Sequence, residues 1–143
     1  MNDRTRQLLW HGILLFLLGL LTGLGGQNFT NPRMGLAAHL EGVMNGTFLL
    51  ALGAAWREVR LTPRLNAAAY WLALFGTYGN WATTTLAAIF GTAAMTPIAA
   101  GEHTGERWQE GLVTFGFVST GLAILAAAIL LLMGFKGRPR ENP

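Results

Sequence analysis

Four apolar runs, roughly residues 8–26, 35–55, 67–91 and 111–135, constrain this chain more than anything else in it. Each is long enough to cross a hydrocarbon core of about 30 Å, which takes roughly 20 residues at about 1.5 Å of rise per residue. A helix on the surface of a soluble protein keeps one polar face, but "ILLFLLGLLTGLGG" and "GLAILAAAILLLMGF" are apolar all round. Charged residues make up 12% of the chain, against about 25% in an ordinary soluble domain. The expected fold is therefore all-α: an integral membrane four-helix bundle, built as a single domain over residues 1–143. The first run is too long for the apolar part of a leader peptide and continues to Gly26 without a small-residue cleavage pattern, so it reads as a span.

The basic residues give the orientation. Arg4 and Arg6 precede the first run, Arg57, Arg60 and Arg64 lie between the second and third, and Lys136, Arg138 and Arg140 follow the fourth. The other two connections hold only Arg33 and Arg107. An excess of Lys and Arg marks the cytoplasmic side, so both termini and the middle loop are expected to be cytoplasmic, in a multi-pass protein of a bacterial inner membrane. The sequence pI of about 10.2 reports these flanks. No aromatic–basic module of a nucleic-acid binder is present, and none is expected as a partner. The chain has no cysteine, which removes disulfides, thiol catalysis and cysteine-ligated metals. Phosphate-binding loops, H-E-x-x-H and nucleophile-elbow motifs are also missing.

The informative residues are polar ones inside the apolar runs. "MGLAAHLEGVMNGTFLL", residues 34–50, carries His39, Glu41 and Asn45 within two turns. Ionisable groups cost roughly 2.5–3.5 kcal/mol each in a bilayer, so a functional role is the default reading. At about 100° per residue, His39 shares its face with Gly35, Gly42 and Gly46. An imidazole flanked by glycines has a flat, open surface beside it, as a planar macrocycle lying along the helix requires. The same glycines also suit plain helix packing. Glu41 and Asn45 form an i,i+4 pair on another face, about 200° from His39. The third run has its own stripe of Gly76, Thr77, Asn80 and Thr84, and the two stripes together would bound a pocket. Gly19 and Gly23 form a small-xxx-small pair that admits a close neighbour. His11 is expected at one membrane edge and His39 near the other, about a bilayer apart. His103 falls in a glycine-rich loop with no sign of ligation. Trp10, Trp56, Trp71, Trp81 and Trp108 read mostly as an interfacial belt.

At "LLWHGILLFLLGLLTG", "NPRMGLAAHLEGVMNGTF", "YGNWATTTLAA" and "MTPIAAGEHTGERWQE" the chain closely resembles the hydroxylaminobenzene mutases, small membrane proteins of bacterial nitroarene breakdown, over nearly its whole length. It is distantly similar to styrene oxide isomerase through His11–Gly12, His39 with Asn45–Gly46, and Asn80. The resemblance implies a homotrimer with haem b (iron) between neighbouring protomers. It implies His39 as the iron ligand on a face formed with Gly35, Gly42 and Gly46, and ferric iron acting as a Lewis acid. It also implies Asn45 beside the substrate. The isomerase has a tyrosine four residues after its helix-three asparagine; here that position is Thr84, and the nearest tyrosine is Tyr78. This departure fits a substrate other than an epoxide.

The implied reaction is the rearrangement of an aryl hydroxylamine (hydroxylaminobenzene) to an aminophenol, mainly the 2-isomer. Asn45 and Asn80 would hold the migrating hydroxyl, and Glu41 would move the ring proton, with Tyr78 and Thr84 as further candidates at the site. The alternatives are an epoxide isomerase of the same architecture and a non-catalytic haem-carrying electron-transfer subunit. A reporter fused to the tail should read as cytoplasmic and one in the 101–107 loop as external; a periplasmic tail would overturn the orientation.

Overall fold

The computed structural model describes residues 3–136; Arg138 and Arg140 of the basic tail lie outside the described residues. Four long helices are present, α1 (Asp3–Gly25), α2 (Pro32–Ala55), α3 (Pro63–Phe90) and α5 (Arg107–Phe135), with a single-turn α4 (Pro97–Ala100) in the loop before α5. No strand occurs among the described residues.

Each long helix begins three to five residues before its apolar run, and the caps explain most of the difference. Asn31 Oδ1 accepts from the Arg33 and Met34 amides at 3.1 and 3.2 Å, so α2 starts at Pro32, where a missing N–H costs nothing. Thr62 does the same before Pro63 of α3. Glu106 and Gln109 form a reciprocal capping box at the head of α5. Satisfied end amides let the backbone stay helical beyond the apolar stretch. At the other end of α3, Gly91 takes a left-handed turn, φ 68°, that only glycine adopts without strain.

The helices form an open row in the order α1, α2, α3, α5, each packed on the next, and no substantial α1–α5 seam closes the row into a ring. The all-α expectation holds, and the four long helices pack as this row. The α1–α2 seam is the tightest. Gly12 faces Gly46 and Leu50, and Gly19 lies against the backbone of Gly42 and Val43, where a Cβ added to Gly19 would meet Val43 N at 2.6 Å. The α3–α5 seam uses the same device, with Gly79 against Thr120 and Gly116 against Thr83. Two apolar clusters fill the ends of the row. Leu8, Leu15, Leu49, Trp56, Tyr70 and Leu131 pack at one end, and Met34, Ala87, Ala88 and Val113 at the other.

Two helical segments, Asp3–Asn28 and Arg107–Phe135, are long and apolar enough to cross a membrane. They flank the row, and large side chains stand exposed on them: Leu24 is 82% exposed, Phe115 72% and Leu132 71%. The interior helices α2 and α3 are as long, but His39, Glu41, Asn45, Asn80 and several threonines dilute their apolar character. Trp10, Trp71 and Trp108 are exposed as expected of a belt, whereas Trp56 is only 2% exposed and packs edge-on against Tyr70, so it belongs to the core.

Gly19→Val is expected to lower the detergent-solubilised melting temperature, because overpacking a close seam costs about 1–3 kcal/mol. Gly111→Ala, which meets nothing within 4 Å, should leave it unchanged. Equal melting temperatures for the two variants would show that the seam opens without cost.

Candidate functional site

His39 faces α1. Its Nδ1 lies 2.8 Å from the carbonyl oxygen of Gly19. A peptide carbonyl only accepts, so Nδ1 carries the proton and donates it, which leaves the lone pair on Nε2. A histidine that ligates a metal through one nitrogen is commonly held in this way at the other. Gly23 makes room for the ring: a Cβ there would meet His39 Nδ1 at 2.6 Å. His39 lines a groove of about 570 Å³ with Leu20, Gly23, Leu24, Gln27 and Gly35. Gly42 and Gly46, expected to open the same face, lie buried in the α1–α2 seam against Gly19 and Phe16. They serve the approach of the helices, and Gly35 alone of the three lines the groove.

The second polar group lies on the α3 side of α2, between the two apolar clusters. Glu41 Oε2 accepts from Asn45 Nδ2 at 3.3 Å and from Asn80 Nδ2. Asn45 Nδ2 also donates to the carbonyl of Thr77 at 3.3 Å. All three side chains are half-buried. The two stripes read from the sequence do meet here, with two differences. Gly76 faces Ile124 of α5 and not α2. Thr84 is buried, and its hydroxyl donates to the backbone carbonyl of Asn80 at 2.9 Å, so it supports the helix below Asn80.

Tyr78 stands apart from this group. Its hydroxyl donates to the carbonyl of His11 at 3.1 Å and lies 3.1 Å from His11 Nδ1. The pair edges another groove, of about 580 Å³, lined also by Trp10, Leu14, Trp71 and Phe75. His39 rests against Gly19 and Gly23, which puts it about 12–18 Å of helix rise beyond His11. The two histidines are thus nearer in depth than opposite membrane edges, yet too far apart to share one ion. His103 Nδ1 donates locally to the Ala100 carbonyl, 2.9 Å away. Among the described residues, no cluster of three or more acidic or histidine side chains offers a site for a free metal ion.

The sequence reading counted Trp81 in the interfacial belt, and the structure places it inside the row. Its indole N–H donates to Thr22 Oγ1 at 3.0 Å, passing beside Gly42, and so ties α3 to α1 across α2. The one signal for it was a tryptophan at the middle of a run, away from any interface.

The family model for styrene oxide isomerase matches residues 4–136. The chain belongs to the styrene oxide isomerase family. Within the family it is 50% identical over 138 residues to hydroxylaminobenzene mutase HabB of Ectopseudomonas oleovorans, covering 96% of this chain and 84% of the relative. It is 46% identical over 124 residues to hydroxylaminobenzene mutase HabA of the same organism, covering 86% and 92%. No solved structure matches the chain. The resemblance read from the quoted stretches is therefore upheld for both the mutases and the isomerase family.

Asn80→Leu removes one of the two amides on Glu41 and should destabilise the protein by about 1–3 kcal/mol, the cost of a half-satisfied buried acceptor. Reversible unfolding in mixed detergent measures it; an unchanged midpoint would mean that water already satisfies the carboxylate.

Proposed function

We propose that this protein is an isomerase of the membrane that moves the hydroxyl of an aryl hydroxylamine from nitrogen to the ring, giving an aminophenol, mainly the 2-isomer. Two relatives named hydroxylaminobenzene mutase support this, at 50% and 46% identity across most of the chain. Substrate and product are isomers, so no oxidant, reductant or second substrate is needed.

The observation that carries the chemistry is His39. Its Nδ1–H is spent on Gly19, and Nε2 keeps a lone pair beside an apolar groove. That nitrogen would hold the metal of a planar prosthetic group, and haem b is the group proposed, with Gly35 beside it. When bound, ferric haem supplies a Lewis acid that weakens an N–O bond without strong acid. The chain itself does the rest. Apolar walls keep bulk water from a reactive, electron-poor nitrogen. Asn45 and Asn80 hold the polar end of the substrate in a fixed pose.

His39 and the Glu41–Asn45–Asn80 group lie on opposite sides of α2, about 200° apart. One chain cannot turn both toward one small molecule, whereas a second copy can offer its Asn45 to the first copy's His39. A homo-oligomer, proposed as a trimer, with the prosthetic group between protomers follows from this. The exposed apolar faces of α1 and α5 and the basic flanks fit four spans in a bacterial inner membrane with both termini cytoplasmic.

The family name supports a second reading, epoxide isomerisation. Thr84, buried and bonded to its own helix, offers no phenol at the position where the isomerase has one. Incubating membranes with phenylhydroxylamine and with styrene oxide separates the two by product. An electron-transfer subunit would need a second histidine facing His39, and His11 is too far away.

His39→Ala is expected to insert and assemble but to lose the Soret band of the purified protein and the rearrangement together, while His11→Ala keeps most of the haem. A His39→Ala protein with both intact would sink the assignment, and a colourless active wild type would sink the Lewis-acid role. A detergent-corrected mass of one protomer in an active sample would rule out the shared site.

A further inference from the structure

The amide of Asn45 is not free to choose its orientation. Its Nδ2 donates both to Glu41 Oε2 and to the Thr77 carbonyl, each at 3.3 Å. Both partners are acceptors, so the nitrogen end of the amide must face them. The Oδ1 of Asn45 remains, and it can only accept. Without Glu41 a single 3.3 Å bond to the Thr77 carbonyl would be left to hold the amide, and one long bond fixes its polarity far less firmly than two, since its two ends have nearly the same shape. Asn80 is fixed by the same carboxylate oxygen and keeps one N–H and its own Oδ1.

We propose that Glu41 is a specificity-determining positioning residue: by holding the Asn45 amide nitrogen, it makes the site select a substrate that donates a hydrogen bond at that point. This rests on the reading that Asn45 meets the substrate. An aryl hydroxylamine carries an N–H and an O–H. A three-membered cyclic ether carries an oxygen that only accepts, and against Asn45 Oδ1 it leaves two acceptors facing each other. A site built around a hydrogen bond rejects the analogue that cannot make it far more strongly than an apolar pocket does. Glu41 acts here through its acceptor oxygen, so neither its charge nor a mobile proton is required.

The test measures direct binding of phenylhydroxylamine and of styrene oxide to purified haem-loaded protein, in wild type, E41Q and E41L. The wild type should prefer the hydroxylamine by roughly tenfold or more, as for one well-made buried hydrogen bond. E41Q should keep that preference, because the glutamine Oε1 accepts from both asparagines, and E41L should lose it. Loss of preference in E41Q equal to that in E41L would mean that charge or a proton matters instead, and an unchanged preference in E41L would remove the clamp altogether. Should E41L fail to insert, hydrogen exchange of the side-chain amide in ¹⁵N-asparagine-labelled wild type decides. Both Asn45 Nδ2 protons are expected to be protected, and rapid exchange of either overturns the proposal. A wild type that binds with this preference but does not rearrange phenylhydroxylamine would defeat the proposed reaction and leave the clamp standing.

Discussion

The contact of α1 with α2 through glycine is the constraint on which the rest of the molecule depends. Backbones meet where Gly19 lies against Gly42 and Gly12 against Gly46. At that separation the imidazole of His39 reaches the Gly19 carbonyl, and Gly23 leaves a gap of the right size for the ring. A wider seam would leave His39 to rotate, and neither nitrogen would be committed to the Gly19 carbonyl. The proton position on His39 is thus set by the close packing of two helix backbones.

The helix α2 acts as a partition. His39 looks to one side and Glu41, two residues on, to the other, where the asparagines gather. The interior helices therefore carry both polar groups, and the flanking α1 and α5 carry most of the exposed apolar surface. Trp81 crosses the partition beside Gly42 and bonds to Thr22, so the three helices around the two polar groups hold a common register.

The sequence reading located the four long helices and the two polar stripes, because apolar length and the 3.6-residue period are local properties. It placed Glu41, Asn45 and Asn80 as one group, which follows from the i,i+4 pair and from a stripe on the next helix. Which neighbour covers a given face is not local. The face holding Gly35, His39, Gly42 and Gly46 was drawn correctly, yet nothing in the spacing says that α1 lies over most of it. Tyr78 was grouped with Asn80 although two residues on a helix differ by about 200°, and it points to His11 instead. Trp56 went astray for the reverse reason: a tryptophan near a helix end suggests an interface, but the turn of Trp56–Glu58 folds it inward onto Tyr70.

Threonine is the residue whose chemistry here differs most from its label. The hydroxyls of Thr22, Thr47, Thr77, Thr84, Thr85 and Thr120 each donate to the carbonyl four residues earlier, at 2.8–2.9 Å. Such a group has given away its only proton within its own helix. To a neighbouring helix or to a lipid chain it presents mainly a methyl. A scale that scores each threonine as a free alcohol overstates the polarity of α3, whose run of Thr83, Thr84 and Thr85 weighs heavily in any average. The cost of placing that helix in hydrocarbon is raised more by Glu41's partner Asn80, one amide, than by the back-bonded alcohols of Thr84 and Thr85 that follow it.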